Sequence, residues 1–202
     1  MISTEYGNEK SAPADRSSAG PLDSEEVRDL RPTVDFGALR LSARDGLQMR
    51  LEVEEANQRI VALTLEFGDS TLQVQAFAAP RSEGLWHEIR RQLADSVSAQ
   101  GGKFEERIGA FGPELVAQLP QFAEKGLSGG YRLARFIGVD GPRWFLRGVV
   151  GGAALTDTRA AADIDDIFRS IIVSRGETPV PPKDLLELNL PSGVVAPPRP
   201  KF

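Results

Sequence analysis

The feature that most constrains the fold is a strict alternation of apolar and polar residues that begins at Leu47. Leu47, Met49, Leu51 and Val53 fall on one side, and the residues between them are Gln, Arg and Glu. Because successive side chains of a β-strand point to opposite faces, this pattern predicts a strand with one buried and one wet face. Such strands are typical of antiparallel sheets.

Further strands extend this one into a sheet. Residues 60–67 and 71–78 follow after short polar turns and complete an antiparallel meander. Residues 131–139 and 143–150 predict a long hairpin that turns at an Asp-Gly dipeptide. We expect this hairpin in the centre of the sheet, because neither strand has a consistently polar face. Two shorter strands are predicted before it, over residues 103–108 and 114–119.

Two amphipathic helices are predicted to pack on this sheet. The first begins after Ser82 as its N-cap and ends at a pair of glycines, and the second is capped by Thr156 or Asp157. Apolar residues recur at helical spacing in both, namely Leu85, Ile89, Leu93 and Val97 in the first and Ile164, Ile167, Phe168 and Ile171 in the second.

The order of these elements is meander, helix, strands, hairpin and helix. It lacks the regular β-α-β alternation of a doubly wound parallel sheet. The sequence therefore predicts an α+β fold, in which an antiparallel sheet carries two main helices in two layers or as an α/β/α sandwich.

Composition divides the chain into three parts. Residues 1–32 are rich in Ser, Glu, Asp, Pro and Gly without a hydrophobic period, which predicts a disordered acidic arm. Residues 33–176 are predicted to form a single domain, and residues 177–202 a proline-rich tail. One apolar island in that tail, residues 185–190, either docks on its own domain or binds a partner, and we favour docking.

Charge and cysteine content exclude several classes of function. The chain of 202 residues has no cysteine, which excludes disulfides, thiolate metal ligands and a cysteine nucleophile, and favours a reducing compartment. The N-terminus lacks the basic start and apolar run of a signal peptide, so we expect a cytoplasmic protein with no membrane partner. A net charge of −5 argues against nucleic acid as the partner.

No catalytic constellation is evident in the sequence. Residues 126–130 match the G-x-S-x-G pattern, but a nucleophile elbow needs a strand before it, a helix after it and a histidine later in the chain. The single histidine, His87, lies upstream on a predicted helix and cannot build a histidine-based metal site alone. We predict no catalytic residue, no metal and no cofactor. An enzyme with unfamiliar carboxylate chemistry ranks third among the functions considered, after the two that are given at the end of this subsection.

Arginines flank the aromatic residues of the predicted hairpin. Arg132, Arg135, Arg143 and Arg147 either gather into a basic aromatic patch or pair with acidic residues on neighbouring strands. We favour pairing, because alternation alone does not say which of the four share a face.

Three segments closely resemble an uncharacterised family of actinobacterial proteins, a domain of unknown function. They are LSARDGLQ at 41–48, QVQAFAAPRSEGLW at 73–86 and RFIGVDGPRWFLRG at 135–148. The likeness runs from about residue 34 to 190. It implies that the gene for this chain lies near the genes for a dUTPase and a small OB-fold protein, but it implies no activity. The order of elements also resembles the Mog1/PsbP-like fold, which implies a binding or assembly module.

Two of these segments lie at corners of the predicted fold, where binding residues tend to occur. We therefore hypothesise a binding region formed by Arg81, Arg135, Arg143, Trp144 and Arg147. The favoured function is a non-enzymatic cytoplasmic interaction or accessory module with a protein partner. The alternative is a small-ligand or nucleotide-binding protein linked to nucleotide or nucleic-acid metabolism, which a deep pocket with convergent arginines would favour.

Overall fold

The computed structural model describes residues 8–28, 32–121 and 129–191. The ends of the predicted arm and tail and residues 126–128 of the G-x-S-x-G match lie outside these ranges.

The large sheet contains β4 (Leu47–Glu54), β5 (Arg59–Phe67), β6 (Ser70–Ala78), β7 (Lys103–Gly109), β8 (Gly112–Pro120), β9 (Tyr131–Asp140) and β10 (Trp144–Gly152). The small sheet contains β1 (Leu22–Asp23), β2 (Val34–Asp35), β3 (Leu39–Leu41) and β11 (Ile172–Val173). The helices are α1 (Arg16–Ala19), α2 (Trp86–Ala99) and α3 (Thr158–Arg169), with a 3-10 turn at Ala153–Leu155.

The large sheet is antiparallel, with its seven strands in the order β4-β5-β6-β10-β9-β8-β7. The predicted meander is β4 to β6, and the predicted hairpin, β9 and β10, lies in the centre. The predicted α+β class is therefore confirmed. The four-stranded small sheet was not predicted, because strands of two or three residues are too short to show a period of two.

Helices cover both faces of the large sheet, so the α/β/α alternative is correct. One face, here called the α3 face, packs on α3 and the small sheet, and its core includes Leu72, Ile137 and Phe168. The opposite face, here called the α2 face, packs on α2 through Trp86 and Phe145, whose rings stack at 5.8 Å. The large aromatic surface buried there fixes the position of α2 against β7, β8 and β9.

Residues 8–28 correct the prediction of a disordered N-terminal arm. β1 pairs in parallel with β11, and the main-chain N–H of Asp140 donates to the carbonyl of Ser11 at 2.8 Å. Asp23 is buried and accepts a hydrogen bond from the Trp144 indole at 2.7 Å. The segment is thus ordered mainly by polar and main-chain bonds to the domain, which a test of hydrophobic periodicity does not detect.

The C-terminal strap, residues 178–191, docks on its own domain, as the favoured alternative predicted. β5 pairs with β6 only from Leu63 onward, which leaves the last residues of β6 unpaired on the side opposite β10. The strap fills this place: Leu186 N–H donates to the Ala76 carbonyl at 2.9 Å. Leu186 and Leu188 of the strap are buried in the core on the α3 face.

The start of α2 also differs from the prediction. The N-cap is Leu85 rather than Ser82, and the capping acceptor comes from the hairpin tip, where Asp140 accepts the Leu85 N–H at 2.8 Å. Burial raises the pKa of the Asp140 carboxyl, while the N–H donors of Leu85 and Ser11 oppose that rise. α3 begins as predicted, with Asp157 accepting the Ala160 N–H at 2.8 Å.

No helix within the described residues is both long and apolar enough to cross a membrane.

Candidate functional site at the free edge of the large sheet

The five hypothesised binding residues do not form one surface. Arg135 and Trp144 lie on the α3 face and are buried, whereas Arg147 lies on the α2 face. Arg81 and Arg143 are exposed on the segments that follow β6 and β9. Trp144 is fully covered and is therefore corrected from a binding residue to a core residue.

Arg135 belongs to a buried ion network, which bears out the pairing interpretation for this residue. Its guanidinium lies 2.8 Å from Glu114 on the neighbouring strand and 2.8 Å from Asp165 on α3. Arg107 on β7 donates to the same Glu114 at 2.6 Å. Burial alone would lower the pKa of Arg135, but the bonds to Glu114 and Asp165 outweigh it and the pKa is raised. This residue has a structural role.

Arg147 has a different environment, without an acidic partner in the described part of the chain. It donates to the side-chain oxygen of Gln75, and its guanidinium lies 5.4 Å from the centre of the Phe77 ring. Burial lowers the pKa of Arg147. Its Nε is buried and makes no hydrogen bond with a described residue.

Two shallow depressions among the described residues do not bring several arginines together. The larger, about 590 Å³, lies between the start of β5 and the strap, and its Arg59 donates to the Leu185 carbonyl at 2.8 Å. The smaller, about 290 Å³, holds Arg50 bonded to Glu66. The described residues also contain no group of three or more His, Cys, Asp or Glu side chains placed to bind a metal ion.

The free edge of the large sheet at β7 is the feature that sequence reasoning missed. β7 is the last strand of the sheet, and every residue from Lys103 to Ile108 is exposed. Two large apolar side chains lie on it, Phe104 with 43% and Ile108 with 78% of its surface exposed. The sequence did contain a signal for this edge. Residues 103–108 carry charged side chains on both faces of the strand, which is typical of an edge strand.

The two faces of β7 differ in chemistry. Phe104, Glu106 and Ile108 lie on the α2 face, because Phe104 is opposite Ala117, which belongs to the α2 core. Glu106 accepts a hydrogen bond from Arg90 of α2 at 3.3 Å. The alternate residues, on the α3 face, are Lys103, Glu105 and Arg107.

The main-chain groups that point to the free edge follow from the sheet register. Gln121 N–H donates to the Gly130 carbonyl at 2.8 Å, so odd-numbered positions along β8 bond to β9. In an antiparallel sheet the N–H and C=O of one residue both point to the same neighbouring strand, and those of the next residue point to the other strand. The even-numbered positions of β8 therefore bond to β7, where they lie opposite odd-numbered residues. The N–H and C=O groups of Phe104, Glu106 and Ile108 therefore point outward.

The opposite edge of the sheet, β4, lacks these properties. Its register with β5 shifts between Glu52 and Val53, and bulges of this kind hinder pairing with another chain. Leu47, Met49 and Leu51 are only partly exposed and pack on the core. By contrast, all seven residues of β7 pair with β8 in an unbroken register.

The fold and this edge define an α+β protein with two sheets, whose candidate site is a strand edge rather than a cleft. The chain belongs to the DUF3710 family, described as a protein of unknown function, whose model matches residues 20–196. This confirms the predicted membership of an uncharacterised domain family. Neither a curated protein nor a solved structure is similar enough to the chain to match it.

Proposed function

We propose that this chain is a non-enzymatic accessory module that binds a polypeptide by strand addition at β7, and that it acts in the cytoplasm. The observation that supports this is a fully exposed and regular edge strand that also presents two large apolar side chains. A strand added to a free edge satisfies its outward N–H and C=O groups, and alternate side chains supply specificity.

The apolar residues supply most of the expected binding energy. Covering a fully exposed Phe or Ile side chain contributes about 1.5–3 kcal/mol each, and partial exposure reduces that value. Phe104 and Ile108 lie on the same face of β7, so one added strand contacts both. The charged residues of β7 do not cover Phe104 and Ile108, and an exposed strand edge with large apolar side chains is a template for pairing with another chain, which is the physical reason to expect an occupant.

Replacing Ile108 by lysine is expected to reduce capture of a bound polypeptide by about tenfold or more, because a charge then lies where an apolar contact is needed. The measurement is affinity capture from a lysate of the source cells with the tagged protein, followed by mass spectrometry. Val53→Lys is the matched control, since Val53 is also an exposed apolar residue, with 49% exposure, but lies on the opposite edge. Equal recovery with Ile108→Lys and with the unchanged protein would place the binding surface elsewhere.

A second candidate function, binding of an anionic small ligand or nucleotide, is favoured by Arg147. Its buried Nε makes no hydrogen bond within the described part of the chain, and burial lowers its pKa. The expected gene neighbourhood near a dUTPase in actinobacteria would agree with this candidate, whereas the Mog1/PsbP likeness would agree with a binding module.

For this candidate, we expect nucleoside mono- and triphosphates to raise the melting temperature of the unchanged protein. The increase should disappear in Arg147→Gln, which removes the charge that an anion would contact. Arg50→Gln is the control, because Arg50 is exposed and paired with Glu66. Thermal-shift curves with equal responses in all three proteins, or with none, would refute it.

A further inference from the structure

We propose that the polypeptide added at β7 is a second copy of this chain, an identification that rests on the strand-addition function proposed for this edge. Two large sheets would then join across a twofold axis. In such an interface the same surface serves both subunits, so the strand has to be complementary to itself. β7 meets this requirement.

The complementarity appears when β7 is paired in antiparallel orientation with a second β7 about Glu106. Phe104 then lies opposite Ile108 of the second copy, and Glu105 lies opposite Arg107 of the second copy. Both apolar pairs fall on the α2 face and both charge pairs on the α3 face. Apolar and opposite-charge pairs are the cross-strand contacts that stabilise a sheet.

The main-chain groups select the same register. Phe104, Glu106 and Ile108 have outward N–H and C=O groups, and pairing about Glu106 places these residues opposite one another. If the register slipped by one residue, main-chain groups that point outward on one copy would lie opposite residues of the second copy whose main-chain groups point inward to β8. A slip of two residues would place Glu105 opposite itself, or Arg107 opposite itself. Of these arrangements, only pairing about Glu106 satisfies the backbone and separates like charges on the α3 face.

The one like-charge pair in this register is Glu106 opposite Glu106 of the second copy. Each carboxylate lies beside its own Arg90, whose Nε is 3.3 Å away. The Arg90 side chain is 8% exposed, so α2 holds this positive charge in place next to the axis. The two arginines therefore offset the repulsion between the two glutamates.

The charge pairs on the α3 face continue an existing network. Within one chain the charges alternate in the order Asp165, Arg135, Glu114 and Arg107. The Arg107 side chain ends this series and is 49% exposed. Glu105 of the second copy would add the next negative charge.

The test is sedimentation velocity of the full chain over about 1 to 100 µM. This range brackets a dissociation constant on the order of micromolar, as expected for an interface made by one strand edge. We expect the mass to rise from 21.9 kDa toward twice that value as concentration increases. Ile108→Lys is expected to weaken the dimer by about tenfold or more, and Val53→Lys to leave it unchanged.

A charge exchange tests the register itself. Glu105→Arg or Arg107→Glu alone places like charges opposite each other and is expected to weaken the dimer. An equimolar mixture of the two variants restores opposite charges and is expected to form a mixed dimer more tightly than either variant forms its own. Both variants should fold, because both residues are exposed and Glu114 keeps Arg135 as a partner; circular dichroism checks this.

Three results would overturn the proposed dimer. A chain that stays monomeric over this range, while its capture of another polypeptide still depends on Ile108, would retain strand addition but assign the edge to a different partner. A monomer that captures nothing would remove the proposed function as well. A dimer weakened by Val53→Lys and not by Ile108→Lys would place the interface at β4.

Discussion

Replacing Glu114 by alanine is expected to lower the free energy of unfolding by about 3–5 kcal/mol, the usual cost of breaking a buried ion pair. The Glu114 side chain is 3% exposed and the Arg135 side chain 4%, so the remaining guanidinium could not recover its hydration by reaching solvent. Asp165 would still accept bonds from Nη1 and Nη2 of Arg135, but the buried Nε would lose Glu114 as its acceptor. Urea denaturation followed by tryptophan fluorescence measures the change.

The control removes both charges together. In Glu114→Leu combined with Arg135→Met no buried ion is left without its partner, and such replacements are often neutral or stabilising. Asp165 and Arg107 keep contact with water, with 19% and 49% of their side chains exposed. We therefore expect the double variant to be more stable than Glu114→Ala. A cost below about 1 kcal/mol for Glu114→Ala would mean that the network adds little to stability.

Trimming the chain to residues 33–176 is expected to abolish cooperative unfolding. The trimmed chain loses the strap, which covers the end of β6 and buries Leu186 and Leu188. Those two side chains alone contribute about 3–6 kcal/mol, comparable to the whole stability of many domains. It also loses Asp23 and β1, so Trp144 becomes exposed and its fluorescence should shift to longer wavelength.

Point variants separate the contribution of the strap from that of the N-terminal segment. Leu186→Ala is expected to cost about 2–5 kcal/mol, because Leu186 is 3% exposed. Leu190→Ala is the matched control: the residue is 49% exposed, and its replacement should change stability by less than about 0.5 kcal/mol. A trimmed chain with a sharp thermal transition and an unshifted fluorescence maximum would contradict the expectation.

The strands of the large sheet and the two helices that pack on it, α2 and α3, were predictable because each follows from a local pattern. The alternation over Leu47 to Val53 has a period of two, and the apolar residues of α3 recur at helical spacing. These periods are properties of neighbouring residues, so they are visible before any tertiary contact forms. The antiparallel meander, the central hairpin and the α+β class follow from them.

The candidate site was not predictable in the same way. Arg135, Trp144 and Arg147 are close in sequence, but the sheet directs them to different faces and buries Trp144 beneath a segment more than a hundred residues away, as its bond to Asp23 shows. The free edge at β7 depends on which strands pair, and the order of strands is decided by contacts across the whole chain.

The sequence by itself therefore determined the strands of the large sheet, the helices α2 and α3 and the fold class, because side-chain period acts over a few residues. Only the tertiary structure decided that residues 8–28 and the strap are part of the fold, and that β7 has no neighbour on its outer side among the described residues. The physical reason is that main-chain hydrogen bonds and buried charge pairs join distant residues whose identities carry no periodic signal. The polar bonds of Asp23, Asp140 and Glu114 are examples.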